Sequence, residues 1–216
     1  MTAPDDGITR FAARHPVVWH VIEAEGLPGM ARHGLLPAAE LRALAQVPDN
    51  SANRDDYEPV ALPGGGTAVL RFQIMADAKL SPSLAGAYAG KPALWRTHIN
   101  SHVFFWADPA RRDSFLRATL RERARSRAAP STTAPAVLAF DTFALLAAVG
   151  PDAFYSTFNT GSTVRGAARA QRDEGTFRPV AAYRSGPAAE LAIRGAVPAE
   201  VLAGAQRPGL DDKREA

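Results

Sequence analysis

The sequence has no cysteine. That excludes a disulfide framework, a thiolate metal site and a cysteine nucleophile. It has no uninterrupted apolar run near the ~18 residues of a membrane span. Its opening, Met1-Thr2-Ala3-Pro4-Asp5-Asp6, lacks the basic stretch and apolar core of a secretory leader. These absences predict a cytoplasmic chain without a membrane partner. Charge of neither sign dominates: the net charge is +3 and 22% of residues are charged. With 46% hydrophobic residues, a core burying roughly 70% of the unfolded surface is within reach. The histidines, His15, His20, His33, His98 and His102, are scattered. His98 and His102 form only an i, i+4 pair and lack the further ligands zinc uses, so no metal is expected. There is no internal repeat and no regular βαβ rhythm, which favours α+β over a doubly wound sheet.

The 216 residues are long for one ~150-residue domain and short for two. The reading is a flexible tail over 1–15, one domain over 16–207 and a charged tail over 208–216. Short apolar or aromatic runs predict strands at Pro16–Ile22, Val103–Trp106, Val137–Asp141, Phe154–Phe158, Thr176–Tyr183 and Ala189–Ile193, and a strand or short helix at Thr67–Phe72. Helices are expected before Gly34, over Pro37–Gln46 and Ser81–Tyr88, over Pro92–Asn100, after Asp108, over Thr142–Val149 and over Pro198–Ala205. Residues 47–66, 128–134 and 161–175 read as loops. Seven arginines between 111 and 127 make a basic patch, read first as a solvated helix face and second as a site for phosphate-bearing partners.

Three polar residues interrupt apolar strand nuclei: His20, Arg71 and Glu190. A charged or imidazole group there needs a partner, because an unpaired buried charge costs several kcal/mol or shifts its pKa. Each also has a plain structural reading. Glu190 would face water at a sheet edge, Arg71 would form a salt bridge, and His20 would be a satisfied core imidazole.

Taken in order, the segments resemble a known family. Trp19-His20-Val21-Ile22 followed by Gly34-Leu35-Leu36, the strand Val103-Phe104-Phe105-Trp106, and Ala189-Glu190-Leu191-Ala192-Ile193 with Val197-Pro198 resemble DarT-type ADP-ribosyltransferase toxins. More closely, the chain resembles an uncharacterised bacterial family of unknown function. That likeness runs through Leu70-Arg71, Asn100 to Trp106, Leu138 to Thr142 and Arg165-Gly166 to Pro179. One departure is Arg71-Phe72, where that family usually reads Arg-Asp.

The resemblance implies a mixed β core of two small packed sheets with surrounding helices. It implies an NAD-dependent ADP-ribosyltransferase that cleaves the nicotinamide–ribose bond. The acceptor would be a nucleic-acid base in preference to protein, and the chain a toxin or phage-defence effector with an antitoxin protein as a partner. Glu190 and Arg71 are the catalytic candidates. His20, Arg71, Phe104, Phe105 and Tyr183 are the NAD-binding candidates, the three rings as stacking partners of nicotinamide. Arg165, Arg169 and Arg172 are the acceptor-loop candidates. Two alternatives stand beside it: an NAD glycohydrolase, and a non-catalytic nucleotide- or nucleic-acid-binding module.

Overall fold

Strands form where bulky and β-branched residues cluster, and their pairing decides what reaches the site. The computed structural model describes residues 6–48, 54–73, 75–126, 134–163 and 170–205. Six strands make one antiparallel sheet in the order β5-β1-β4-β8-β6-β7. They are β1 (Val17–Ile22), β4 (His102–Trp106), β5 (Ala136–Asp141), β6 (Ala153–Ser156), β7 (Arg178–Pro179) and β8 (Glu190–Arg194). A separate ribbon pairs β2 (Glu58–Ala61) with β3 (Thr67–Leu70). The helices are α1 (Asp6–Arg14), α2 (Leu27–His33), α3 (Ala38–Leu44), α4 (Asp77–Leu80), α5 (Pro92–Asn100), α6 (Pro109–Arg123), α7 (Thr142–Val149) and α8 (Ala199–Leu202). The class is α+β, as the sequence predicts.

The arrangement departs from two small packed sheets. One sheet carries six strands, but it is almost divided. β1 pairs with β5 over six residues, from Val17↔Asp141 to Ile22↔Ala136. β1 meets β4 at only one pair, Trp19↔Trp106. Past that point the two strands splay, and no backbone ladder closes the gap. β8 lies between β4 and β6, so Glu190 stands opposite Trp106 on one side and Ser156 on the other.

The period-2 alternation of the strands sorts their side chains onto two faces. Val18, Val103, Phe105, Leu138, Phe140, Tyr155, Leu191 and Ile193 enter the main core beneath α1, α7 and α8. Phe104, Phe154 and Ala192 join a second cluster with Trp95, Ile99 and Phe177. The ribbon has its own small core of Val60, Leu62, Ala68 and Leu70 against α3.

Local signals explain the helix ends. The Asp108 carboxylate accepts from Arg111 N at 3.0 Å and Asp141 from Ala144 N at 2.8 Å, so both aspartates cap the helices that follow. Gly34 closes α2 with φ of 82°. A Cβ there would lie 2.3 Å from Val197 O, in the bridge that Leu35 makes with Val197. Only glycine permits that approach.

Four elements differ from expectation. The helix expected over Ser81–Tyr88 is two 3-10 turns, Ser81–Ser83 and Gly86–Tyr88, parted by the extended Leu84 and Ala85. Residues 6–14 are not a tail but a helix, because Gly7 and Phe11, one turn apart, bury against the segment around Tyr183, and Phe11 is 0% exposed. The loop predicted over 47–66 contains β2, whose turn into β3 uses three glycines with positive φ. The strand predicted over 176–183 shrinks to Arg178–Pro179 and then turns as a 3-10 helix, since Pro179 has no N–H for a longer ladder.

Candidate functional site

A cavity of about 990 Å³ opens where β1 and β4 separate. Its walls are β1 and β4, the ribbon, one face of α6 and the segment after β6. His20, Arg71 and Glu190, far apart in sequence, all line it.

Glu190 begins β8 and is 4% exposed. Thr160 donates to its Oε2 twice, from the backbone N at 3.0 Å and from Oγ1 at 2.9 Å. Among the described residues no donor bonds Oε1. Burial pushes the carboxyl up to about 7, against the opposing effects of the Thr160 bonds and the Arg111 and Arg172 guanidiniums. The group is therefore close to half-ionised at neutral pH, a condition suited to holding or taking a proton.

His20 sits on β1 at the splay. Its Nδ1 lies 2.8 Å from Phe104 O. A carbonyl only accepts, so Nδ1 carries the hydrogen. Burial lowers the ring's pKa, with Arg71 lowering it further against the Phe104 bond. The imidazole is neutral at pH 7, which leaves Nε2 as an acceptor for a hydroxyl.

Arg71 follows β3. Its Nη2 donates to Thr119 Oγ1 at 2.8 Å, and its guanidinium lies over the Phe115 ring at 4.4 Å. Nε is 3.9 Å from Glu23 Oε1. Neither Nε nor Nη1 makes a hydrogen bond of ordinary length among the described residues, and the Tyr57 hydroxyl is the neighbouring group that interacts with the guanidinium. Burial lowers its pKa, although it remains a cation at any ordinary pH. Glu23 is itself buried just past β1, and its Oε2 accepts from Arg123 on α6.

The aromatic candidates separate. Phe104 lines the cavity, half-buried, on the same sheet face as Glu190. Phe105 borders it from the opposite face, but its ring is 1% exposed and packs against His20 and Phe140. It is a core residue with no face for stacking. Tyr183 lies outside the cavity, packed among Phe11 and Tyr155, with its hydroxyl donating to Gly186 O. The 3-10 turn after Pro179 carries it into the core.

Of the acceptor-loop candidates, Arg165 and Arg169 lie outside the described residues. Arg172 is 0% exposed. It donates to Ser83 Oγ and Ala170 O, both at 2.9 Å, and to Ser162 O, and it lies over Phe158. It is a clamp between the segment after β6 and the turn at 81–85, and it has no surface to offer an acceptor.

Residues not singled out from sequence complete the site. Thr160 carries no sequence signal, because a threonine in a polar loop looks like any other. Glu23 could have been found by the reasoning that found His20, since it is a charge at the end of an apolar strand. Arg111, Arg121 and Arg125 belong to the basic patch, and all three reach the cavity. With Arg54, Arg71 and Lys79 they make six cations against the carboxylates of Glu23, Glu122 and Glu190 among the described lining residues. That excess suits an anion. Among the described residues no three His, Asp or Glu side chains group as a metal site would require, and no helix is long and apolar enough to cross a membrane.

A family model described as "Family of unknown function (DUF7002)" matches residues 16–212, and the chain belongs to that family. No curated protein and no solved structure matches the chain.

Proposed function

We propose that the chain, a member of that family of unknown function, is an NAD-dependent ADP-ribosyltransferase. It splits the nicotinamide–ribose bond and passes ADP-ribose to a macromolecule, a nucleic-acid base in preference to protein. The observation that carries this reading is that His20, Arg71 and Glu190, far apart in sequence, all line one cavity. The likeness of those segments to DarT-type toxins suggests which reaction the cavity serves.

The residues present fit the dinucleotide. The volume stands at the upper end of the roughly 300–1,000 Å³ of small-molecule sites. Exposed guanidiniums on α6 and just after it, Arg111, Arg121 and Arg125, suit the pyrophosphate, which their planar forks grip as paired oxygens. The free Nε2 of His20 suits a ribose hydroxyl. Phe104 is the one ring of the three candidates available to nicotinamide.

Breaking the glycosidic bond builds positive charge on the ribose, as in glycoside hydrolysis. A fixed carboxylate beside that carbon lowers the barrier electrostatically. Glu190 is held from one oxygen by Thr160, so Oε1 is available to the ribose or to the acceptor's proton. A carboxyl with a pKa of about 7 gives up and takes a proton near neutrality.

A second reading, hydrolysis to free ADP-ribose, is favoured by one observation: Arg172, expected to meet the acceptor, is enclosed. The test separates the two. NAD labelled in the adenylate half is incubated with the chain and either nucleic acid or cell protein. Label on nucleic acid with nicotinamide released supports transfer. Nicotinamide release without labelling supports hydrolysis. NAD binding without release overturns both.

A further inference from the structure

We propose that the corner formed by Glu23, Arg71 and Gln73 recognises the amino edge of an adenine ring, at the end of the cavity remote from Glu190. This deepens the reading above and rests on it for the choice of dinucleotide.

The corner is short of partners. Glu23 Oε1, Arg71 Nε, Arg71 Nη1 and Gln73 Oε1 are all buried and make no hydrogen bond of ordinary length among the described residues; the Tyr57 hydroxyl, equally unbonded, is the neighbour that interacts with the Arg71 guanidinium. Glu23 is 2% exposed. Gln73 donates through Nε2 to the buried Asn100 Oδ1 at 3.2 Å, which turns its oxygen the other way. The Arg71 Nε to Glu23 Oε1 separation of 3.9 Å is an ion pair too long for a hydrogen bond, so both atoms keep their hydrogen-bonding capacity. Buried polar groups are normally satisfied, and four orphans on three side chains of one cavity wall point to a polar ligand.

Their types select the ligand. Two acceptors and two donors suit a group that both donates and accepts. An exocyclic amino group would donate to Glu23 Oε1 and Gln73 Oε1, and the neighbouring ring nitrogen would accept from Arg71 Nη1. A phosphate only accepts, and it would meet the Glu23 carboxylate at close range. Phe72 and Phe115 supply aromatic walls beside the guanidinium.

Position selects between the two ends of NAD. α6 runs along the cavity: Arg111 acts on Glu190, Thr119 bonds Arg71 and Arg123 bonds Glu23. At 1.5 Å per residue, positions 119 and 123 lie on the order of 12 and 18 Å along the helix from 111. The nicotinamide ribose belongs at Glu190, so the far corner meets the adenine.

The experiment is calorimetric binding of adenosine, guanosine, nicotinamide riboside and inorganic pyrophosphate to the whole chain. Gln73→Leu and the isosteric Glu23→Gln are the variants, each checked for an unchanged thermal midpoint. Expected is adenosine binding that weakens about tenfold in Gln73→Leu, with pyrophosphate binding unchanged. Guanosine or nicotinamide riboside binding in its place, with the same dependence on Gln73, overturns the assignment to adenine. Adenosine binding equal in both proteins overturns it too, as does weaker pyrophosphate binding in Gln73→Leu. Should Glu23→Gln fail to fold, Gln73→Leu decides alone. None of these arms requires NAD cleavage, so the corner and the proposed reaction fail separately.

Discussion

Two carboxylates are buried on the walls of one cavity, and they are satisfied in opposite ways. Glu23 sits between two guanidiniums, Arg123 and Arg71. Glu190 has two hydrogen bonds from one threonine and its nearest cations only at a distance. Paired charge makes Glu23 part of the frame that ties β1 to α6. Unpaired burial leaves Glu190 with a proton it can lose near pH 7. The difference teaches how a structural acid and a reactive one are told apart: by what compensates the charge, since burial is the same.

Four predictions break or sharpen that contrast. The largest concerns Glu23→Ala, which strands Arg123 and Arg71 beside each other in the interior. Removing one partner of a buried pair costs about 3–5 kcal/mol, measurable by urea unfolding. A loss no greater than that of Glu190→Gln would erase the distinction. Next, Glu190→Gln is expected to cut nicotinamide release by roughly 10²–10³-fold without loss of stability. The unfolded chain releases this proton near 4.5 and the folded chain near 7. Between those values the folded state binds more protons, so this group's stabilising contribution is full below 4.5 and is lost as pH rises through 7. At pH 8 the variant, lacking a buried ionised carboxylate, should melt above the native chain in a calorimetric scan.

The third is Thr160→Val, which removes the Oγ1 donor and keeps the backbone one. The carboxyl should become harder to ionise, moving the pH–rate midpoint upward and lowering the rate at pH 6.5 about tenfold at most. An unmoved midpoint would mean that Thr160 does not govern the carboxylate. The smallest separates the rings. Phe104→Ala should raise the KM for NAD several-fold. Tyr183→Phe should leave KM alone and cost about 1 kcal/mol of stability for its bond to Gly186.

Much of the fold was legible because it rests on local rules. Asp108 and Asp141 cap the helices that follow them, the bulky runs around Phe105 and Leu191 became central strands, and the run around Phe140 became the edge strand β5. α1 was not legible, because its packing depends on the distant segment around Tyr183. The same holds for the site. His20, Arg71 and Glu190 were visible as polar groups set in apolar strands, and all three reach the cavity. Thr160 and Gln73 matter only through partners 30 and 27 residues away, and no local pattern marks them. Phe105 points to the core because an aromatic residue in a strand has two faces and long-range packing makes the choice, whereas Tyr183 is carried inward by the 3-10 turn that replaces its expected strand.

The central claim is that Glu190 is an uncompensated carboxylate that drives cleavage of the nicotinamide–ribose bond. Nicotinamide release from NAD, followed from pH 5.5 to 8.5 for the native chain and for Glu190→Gln, tests it most directly. The account predicts a native rate that rises through a midpoint near 7, and a low, flat profile for the variant. Equal rates for the two proteins, or a native rate indifferent to pH, would contradict it.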